Sequence, residues 1–410
     1  MIAHHINMQR TLIIAAIAIA VLGLGAFVYF FFFTGSPGVA VAPTGTTSLP
    51  LAGQTASNTS GNTSGATVPN ISSPGTPVVV TNRLIQISVG PVVPGVAVVD
   101  LKPVNASSSP TTMVNYIERQ SGNIFSYRTD THTLTRISNK TLPGIQTAEW
   151  LPDASTAFVR YLSGNDFSTI NTYALFATSS SGFFLPQNLS NIAVSSASIL
   201  TLASGVNGSI ASLAHTDGTH SSTIFTTPLT SIRVSFAGKN QYLVFTKPSS
   251  TLLGYAFLVN SSGHFTRIAG PQNGLIALPS PSGKWVLVSY SQAATVQMEL
   301  VNTSTGVATA LPVSTLADKC VWAADDSSVY CGVPTSLPNA SYPDDWYQGA
   351  VQFSDRIWNI HVSDRYAQLV LDFSQANKGD LDAVGLAIDP SKSTLVFMNK
   401  NDDSLWSYSL

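Results

Sequence analysis

Charged side chains are scarce in this chain: 19 Lys+Arg and 21 Asp+Glu make up 10% of 410 residues, where an average soluble protein has about 25%. No run of Lys or Arg occurs and the net charge is -2, so there is no positive field to hold a polyanion and nucleic acid is excluded as a partner. Two cysteines are too few for a disulfide-built scaffold or a cysteine-rich zinc site. A Gly-x-Ser-x-Gly elbow, a His-Glu-x-x-His pair, a phosphate-cradling loop and a dinucleotide fingerprint are all missing, which removes the chemistries that announce themselves locally.

The widest gap in charge is residues 11–82, 72 positions without Asp, Glu, Lys or Arg. Residues 12–33 are almost purely apolar, and 22 residues at about 1.5 Å each match a bilayer core of about 30 Å, which predicts a transmembrane helix. Arg10, His4 and His5 precede it and no cation follows before Arg83. Residues 1–11 are therefore expected as a cytoplasmic tail, with the rest outside the cytoplasmic membrane. The competing reading is secretion after cleavage near Ala42, because Ala40-Val41-Ala42 has the small-x-small form of a processing site. Residues 34–82 are Ser, Thr, Gly, Pro and Ala with scattered Val, too poor in apolar surface to order, and are expected as a disordered linker spanning about 35–42 Å.

Beyond the linker a phrase recurs: a polar turn, then a short apolar strand. It reads Pro152-Asp153-Ala154-Ser155 before Ala157-Phe158-Val159, Ala237-Gly238-Lys239-Asn240 before residues 242–245, and Ser280-Pro281-Ser282-Gly283 before residues 285–288. It returns at Asp325-Asp326-Ser327-Ser328 and at Asp389-Pro390-Ser391-Lys392, with a weaker copy over residues 204–213. Taking residues 114–117 as the first such strand, the centres fall near 115, 158, 211, 243, 286, 330 and 396. Their spacing is mostly that of one propeller blade, about 40–45 residues. A second phrase, a hairpin between alternating strands, occurs at residues 127–137, 258–268 and 300–311 with the same period. The seventh repeat lacks a fourth strand, whereas residues 84–88 read as a fourth strand with no blade before them. The expected fold is all-β: a seven-bladed β-propeller over residues 83–410, closed by its N-terminal strand. Two separate sandwich domains, or a ring of six or eight blades, are the competing arrangements.

The turn phrases, with Trp150 ahead of Pro152-Asp153 and Trp322 ahead of Asp325, resemble the Trp-x-Pro-Asp-Gly phrase of TolB-like and WD-like β-propellers. The final Gly is Ala154 here. The resemblance implies the fold, and it implies a binding platform of the cell envelope, since such propellers mostly bind or gate an attached enzyme and none is attached here. The Asp-box phrase of sialidase propellers is absent.

The sixth repeat is lengthened by an insertion at about residues 335–356, carrying Tyr342, Asp344, Asp345, Trp346, Tyr347 and Asp355, with Trp358 just beyond. Aromatic faces beside carboxylates suit a sugar, a peptide or a calcium ion; alternatively Trp346 and Trp358 pin a long loop. Cys320 and Cys331 flank a strand-turn-strand and sit opposite one another if Asp325-Asp326 is the turn, which predicts a disulfide. Residues 215–220 place His215, Asp217 and His220 together, either as a metal clamp or, with Asp217-Gly218 as the turn, as a hairpin between the second and third strands of blade three. Residues 377–382 and 399–404 are fragments of calcium loops without full ligand spacing. No cofactor is expected, calcium being the one ion considered. With no assembled nucleophile, the functional expectation is a membrane-anchored, non-catalytic module that docks an envelope protein or glycan partner. The alternatives are a carbohydrate-active or other hydrolytic enzyme using Asp344, Asp345 and Asp355, and a calcium or small-ligand sensor.

Overall fold

The apolar runs that follow the polar turns become strands buried on both faces. In the computed structural model, which describes residues 83–101, 111–179, 181–293, 295–376 and 378–410, Ala157, Phe158, Val159, Val286, Leu287, Val288, Val396 and Phe397 are fully buried. A sheet with one wet face alternates polar and apolar residues. A propeller blade is covered by a neighbour on each face, so its second strand reads as a continuous apolar run.

Seven four-stranded antiparallel sheets result. Blade one is β2 (Ala97–Leu101), β3 (Thr111–Ile117), β4 (Ile124–Arg128) and β5 (Thr133–Arg136); blade two is β6 (Ile145–Trp150), β7 (Thr156–Ser163), β8 (Thr169–Phe176) and β9 (Gly182–Phe184). Blade three is β10 (Leu189–Val194), β11 (Ser198–Gly205), β12 (Gly208–His215) and β13 (Ser222–Thr227); blade four is β14 (Ile232–Phe236), β15 (Gln241–Thr246), β16 (Leu253–Asn260) and β17 (Phe265–Asn273). Blade five is β18 (Ile276–Pro279), β19 (Trp285–Gln292), β20 (Thr295–Asn302) and β21 (Ala308–Ala310); blade six is β22 (Cys320–Trp322), β23 (Ser328–Pro334), β24 (Asp355–His361) and β25 (Ala367–Asp372). Blade seven is β26 (Ala383–Ile388), β27 (Thr394–Asn399) and β28 (Leu405–Ser409), completed by β1 (Leu84–Gln86). The register of closure is Leu84 opposite Tyr408 and Gln86 opposite Trp406. Both the blade count and the closing strand agree with the sequence pattern. The expected tail at 1–11, membrane helix at 12–33 and linker at 34–82 fall outside the described residues, among which no helix is long and apolar enough to cross a membrane.

Blade three corrects the sequence reading. Its second strand is β11, and residues 208–215, assigned from their turn phrase as the second strand, form the third. The second strands therefore begin at 111, 156, 198, 241, 285, 328 and 394. The uneven steps either side of blade three disappear, and only the lengthened step through blade six remains.

Apolar layers between successive blades make the core, for example Leu151, Phe158, Leu189, Ile192 and Ile199 between blades two and three. Trp150 and Trp322 end the innermost strands of their blades and reach back to the preceding blade, their Nε1–H groups donating to the carbonyls of Gly95 and Leu278 at 3.2 Å each. The turns between first and second strands share one form. The αL position holds Ala154 (φ 59°), Asn240 (φ 58°), Gly283 (φ 75°), Asp326 (φ 59°) and Lys392 (φ 57°), the place of the Gly in Trp-x-Pro-Asp-Gly. These turns are stitched around one end of the ring: Asp326 accepts from Ser280 Oγ at 2.8 Å and from the Ser282 amide at 3.1 Å. Lys392 meets Asp325 at 2.8 Å, and Asp100 accepts from the Ser391 amide at 3.0 Å. Where blades four and five meet, backbone touches backbone: a Cβ on Gly283 would stand 2.2 Å from the Ala237 carbonyl oxygen. Below, this end of the ring is the turn face.

Candidate functional site

The insertion, residues 335–354 between β23 and β24, lies on the opposite end of the ring and straps several blades together. A single helical turn, α1 (Asp344–Tyr347), forms its middle. Asp344 Oδ2 accepts from the Ser250 amide at 2.8 Å in blade four, and the Tyr342 carbonyl accepts from Ser291 Oγ at 2.6 Å in blade five. Asp345 Oδ2 accepts from the Ser341 amide at 2.7 Å, holding the start of α1, and Tyr342 OH donates to the Pro338 carbonyl at 2.5 Å. The Tyr347 hydroxyl donates to Asp318 Oδ2 at 2.5 Å, and Arg233 of β14 meets the same oxygen at 2.9 Å. Burial and the Asp318 charge push the Tyr347 hydroxyl far above its ordinary range.

Trp346 is buried with its Nε1–H donating to Asp382 Oδ2 at 2.9 Å. Asp355, at the base of the strap, pairs with the fully buried Lys319 at 2.8 Å, and Lys319 also pairs with Asp382. Trp358 sits in β24 opposite Cys331 and Leu369, packed on the largest apolar cluster. The seven sequence-predicted residues are thus brought to one region, six of them engaged with other parts of the ring and Asp345 with the strap itself. Asp344, Asp345 and Asp355 do not face one another across a cleft, so the paired carboxylates that hydrolysis needs are not assembled from them.

Cys320 and Cys331 stand directly opposite on β22 and β23 and are joined as the sequence predicts, with Cα atoms 4.1 Å apart. The His215–His220 segment is a hairpin, but between the third and fourth strands of blade three, which corrects its expected place. Its two imidazoles stack at 4.7 Å, and Asp217 Oδ1 is taken by the Thr219 amide and hydroxyl at 2.9 and 2.7 Å. In the calcium-like fragments Asp380 accepts from Ser354 Oγ, Asp382 belongs to the strap's ion cluster, and Asp402 accepts from Asn399 and Ser404. Among the described residues no three His, Cys, Asp or Glu side chains gather as a cation site.

Two concave surfaces lie on the turn face, and a third, of about 680 Å³, lies at the other end around the β11–β12 turn and Pro228. A cavity of about 750 Å³ occupies the mouth of the central channel, walled by Phe236, Tyr242, Leu278, Val321 and Trp322, with Ser195, Ser198, Lys239 and Asn240 at its edge. A second groove of about 620 Å³ adjoins it across the blade-five turn and holds Lys284, Trp285, Asp325, His361 and Arg365. Lys284 places its ammonium 5.8 Å from the centre of the Trp285 ring.

One residue of an innermost strand is not legible from any motif. Glu149 is the penultimate residue of β6, the innermost strand of blade two. One hydrogen bond in each turn fixes the register: Leu151 N to Thr156 O, Ser280 N to Trp285 O and Ala323 N to Ser328 O are equivalent. Glu149 therefore holds the position of Leu278 and Val321, both of which line the cavity. The other blades place Ala97, Ala193, Ser235 and Ala387 there, so Glu149 is the single ionisable group of that ring. Its side chain is exposed, so solvent offsets part of the surrounding strands' enclosure. Enclosure by the protein pushes its carboxyl up to about 7, the Arg160 charge opposing the rise. Only alignment by strand register sets this residue apart.

No family model and no curated sequence matches the chain. Among solved structures, an oligogalacturonate lyase in complex with manganese aligns at TM-score 0.52 with 9% identity, covering 77% of this chain and 96% of that one. An oligogalacturonate lyase from Vibrio parahaemolyticus aligns at TM-score 0.50 with 8% identity, covering 78% and 98%. TolB from Acinetobacter baumannii aligns at TM-score 0.43 with 11% identity over 63% of each chain. Identities this low establish the fold alone. They correct the functional expectation all the same: the non-catalytic docking module was inferred from the kind of ring this is, and rings of this shape include enzymes. The described residues do not offer a manganese site, because no three carboxylate or imidazole ligands converge.

Proposed function

We propose that this propeller is a carbohydrate-active enzyme that takes an acidic oligosaccharide at the turn-face mouth of its channel. Glu149 carries the reading: a solvent-exposed carboxyl raised above its ordinary range, at the strand position whose counterparts Leu278 and Val321 wall a cavity of about 750 Å³. Perturbed titratable groups in clefts are where acid–base chemistry is done, and a group poised near neutrality is the efficient one. Phe236, half-buried, gives a flat apolar face on which a sugar ring can lie, and Lys239 at the rim gives a positive charge for a uronate. A chain leaving the mouth would pass the blade-five turn to reach Trp285 and Arg365. The oligogalacturonate lyases that share the fold support the substrate class.

A single acid–base group favours elimination over hydrolysis, which needs two carboxylates. In elimination a base takes the proton beside the uronate carboxyl, the neighbouring C–O bond breaks and a C=C bond forms. The departing oxygen then gains a proton.

The test is turnover of oligogalacturonate, other uronate oligomers and neutral oligosaccharides, followed by ultraviolet absorbance of the unsaturated product and by reducing ends. Glu149→Gln is expected to lower turnover by about 100-fold or more with the melting temperature unchanged, and to abolish the rise in rate as the pH passes through about 7. Failure of every oligosaccharide either to bind or to react would overturn the reading.

A further inference from the structure

The strap ends in an ion cluster whose charges do not cancel. Lys319, Asp355 and Asp382 have no exposed side-chain surface where their charges meet, so two carboxylates share one ammonium. Asp382 is fully used: Lys319 binds Oδ1, and Oδ2 accepts from Trp346 Nε1 at 2.9 Å and the Phe353 amide at 3.1 Å. Asp355 is not. Its Oδ2 takes Lys319 and the Ala383 amide, at 2.8 and 2.7 Å, while Oδ1 is buried without a partner. Burying an uncompensated charge costs far more than burying a neutral carboxyl.

The other charged groups around Asp355 do not relieve it. Asp318, next to Lys319 in the chain, faces Arg233, Asp380 faces Ser354, and Arg356 pairs with Asp372 at 2.8 Å. Asp344 and Asp345 face strap and blade-four amides, and the Tyr347 hydroxyl faces Asp318. Lys400, partly exposed, stands 5.1 Å from the centre of the Trp346 ring, as does Lys319.

We infer that Asp355, Lys319 and Asp382 form a proton-controlled latch, which holds the strap down when Asp355 is protonated and loosens it as the pH rises through the weakly acidic range. The strap rests on Arg233 at the start of blade four's innermost strand and on Asp318 and Asp382 just ahead of those of blades six and seven. Its release would thus uncover the channel end opposite the turn face. Burial pushes the Asp355 carboxyl up to about 6, with Lys319 pulling the other way. The folded group binds a proton more tightly than the unfolded one, so its stabilising contribution is complete below about pH 4 and is lost as the pH climbs through about 6. The inference does not depend on the reaction at the turn-face mouth.

Native-state hydrogen exchange of the full chain tests it, reading the Trp346 and Phe353 amides at pH 5 and pH 7.5 after correction for intrinsic rates, with β19 amides as the reference for global opening. Local opening of the strap is expected to rise by about 10-fold between the two pH values, the part of a two-unit difference in pKa that titrates above pH 5, with β19 more protected than the strap at both. Asp355→Asn is expected to abolish the change. Strap protection that is independent of pH in the unaltered protein would overturn the latch, and so would a change that survives in Asp355→Asn. If that variant fails to fold, Trp346→Phe replaces it: it removes one bond to Asp382, and the latch requires lower protection at both pH values with the pH ratio retained. Loss of that ratio would also overturn the latch.

Discussion

The two ends of the ring solve the same problem, holding seven blades in a circle, by different means. On the turn face, short hydroxyls, backbone amides and half-exposed carboxylates link neighbouring turns one pair at a time, as Asp326 does with Ser280 and Ser282. On the strap face, a single long segment crosses blades four to seven and its base is fixed by charges with no access to water. Many small contacts leave the turn face concave and open, with room for a ligand. A few large ones close the other end and make it respond to solution conditions. The difference teaches that one repeated sheet can have a rigid, accessible end and a conditional one, according to where a single insertion falls.

Three substitutions sharpen that contrast. Lys319→Met should be the most damaging, because it leaves two buried carboxylates without their cation; a loss of about 3–5 kcal/mol is expected in urea unfolding. Gly283→Ala tests the opposite end: its Cβ would meet the Ala237 carbonyl oxygen at 2.2 Å, at a φ of 75°, and a loss of about 2–3 kcal/mol is expected from the same measurement. A near-neutral result would mean that the turns at the mouth are looser than their geometry. The smallest effect has the opposite sign. Ala154 occupies an αL position at φ 59°, where glycine avoids a penalty of about 1–2 kcal/mol, so Ala154→Gly should raise the unfolding free energy from the same measurement by about 1 kcal/mol.

How much of this was legible depended on whether the signal was local. The period and the closing strand could be read because both faces of every second strand are covered, which writes continuous apolar runs into the chain. Blade three was misphased because its first turn is short: Ser195 donates its amide to the Ser198 carbonyl, with no polar phrase of the usual length. The next turn, at residues 205–208, took its place in the pattern. The Cys320–Cys331 pair was readable as cross-strand neighbours. By contrast, Lys319 and Asp382 lie 63 positions apart; Lys319 stands in no motif, and Asp382 drew notice only as part of a calcium-like fragment. Gly332 likewise gave no signal, although a Cβ there would come within 3.1 Å of Asp355 Oδ2 and 3.0 Å of the Ala383 carbonyl oxygen. Tyr342 and Trp346 were noticed for their chemistry, whereas their surroundings make them anchors.

Closure by β1 has a consequence for how the protein is made. Arg83 Nε donates to the Ser409 carbonyl across 326 positions, and the Leu405 amide donates to Ser88 Oγ across 317. During synthesis the first strand emerges with no partner, and it must wait until nearly the whole ring has left the ribosome. Through that interval its unpaired edge can join the seventh blade of another copy as readily as its own. Crowded expression should therefore favour strand-exchanged dimers, in which each ring is locked by its neighbour's first strand.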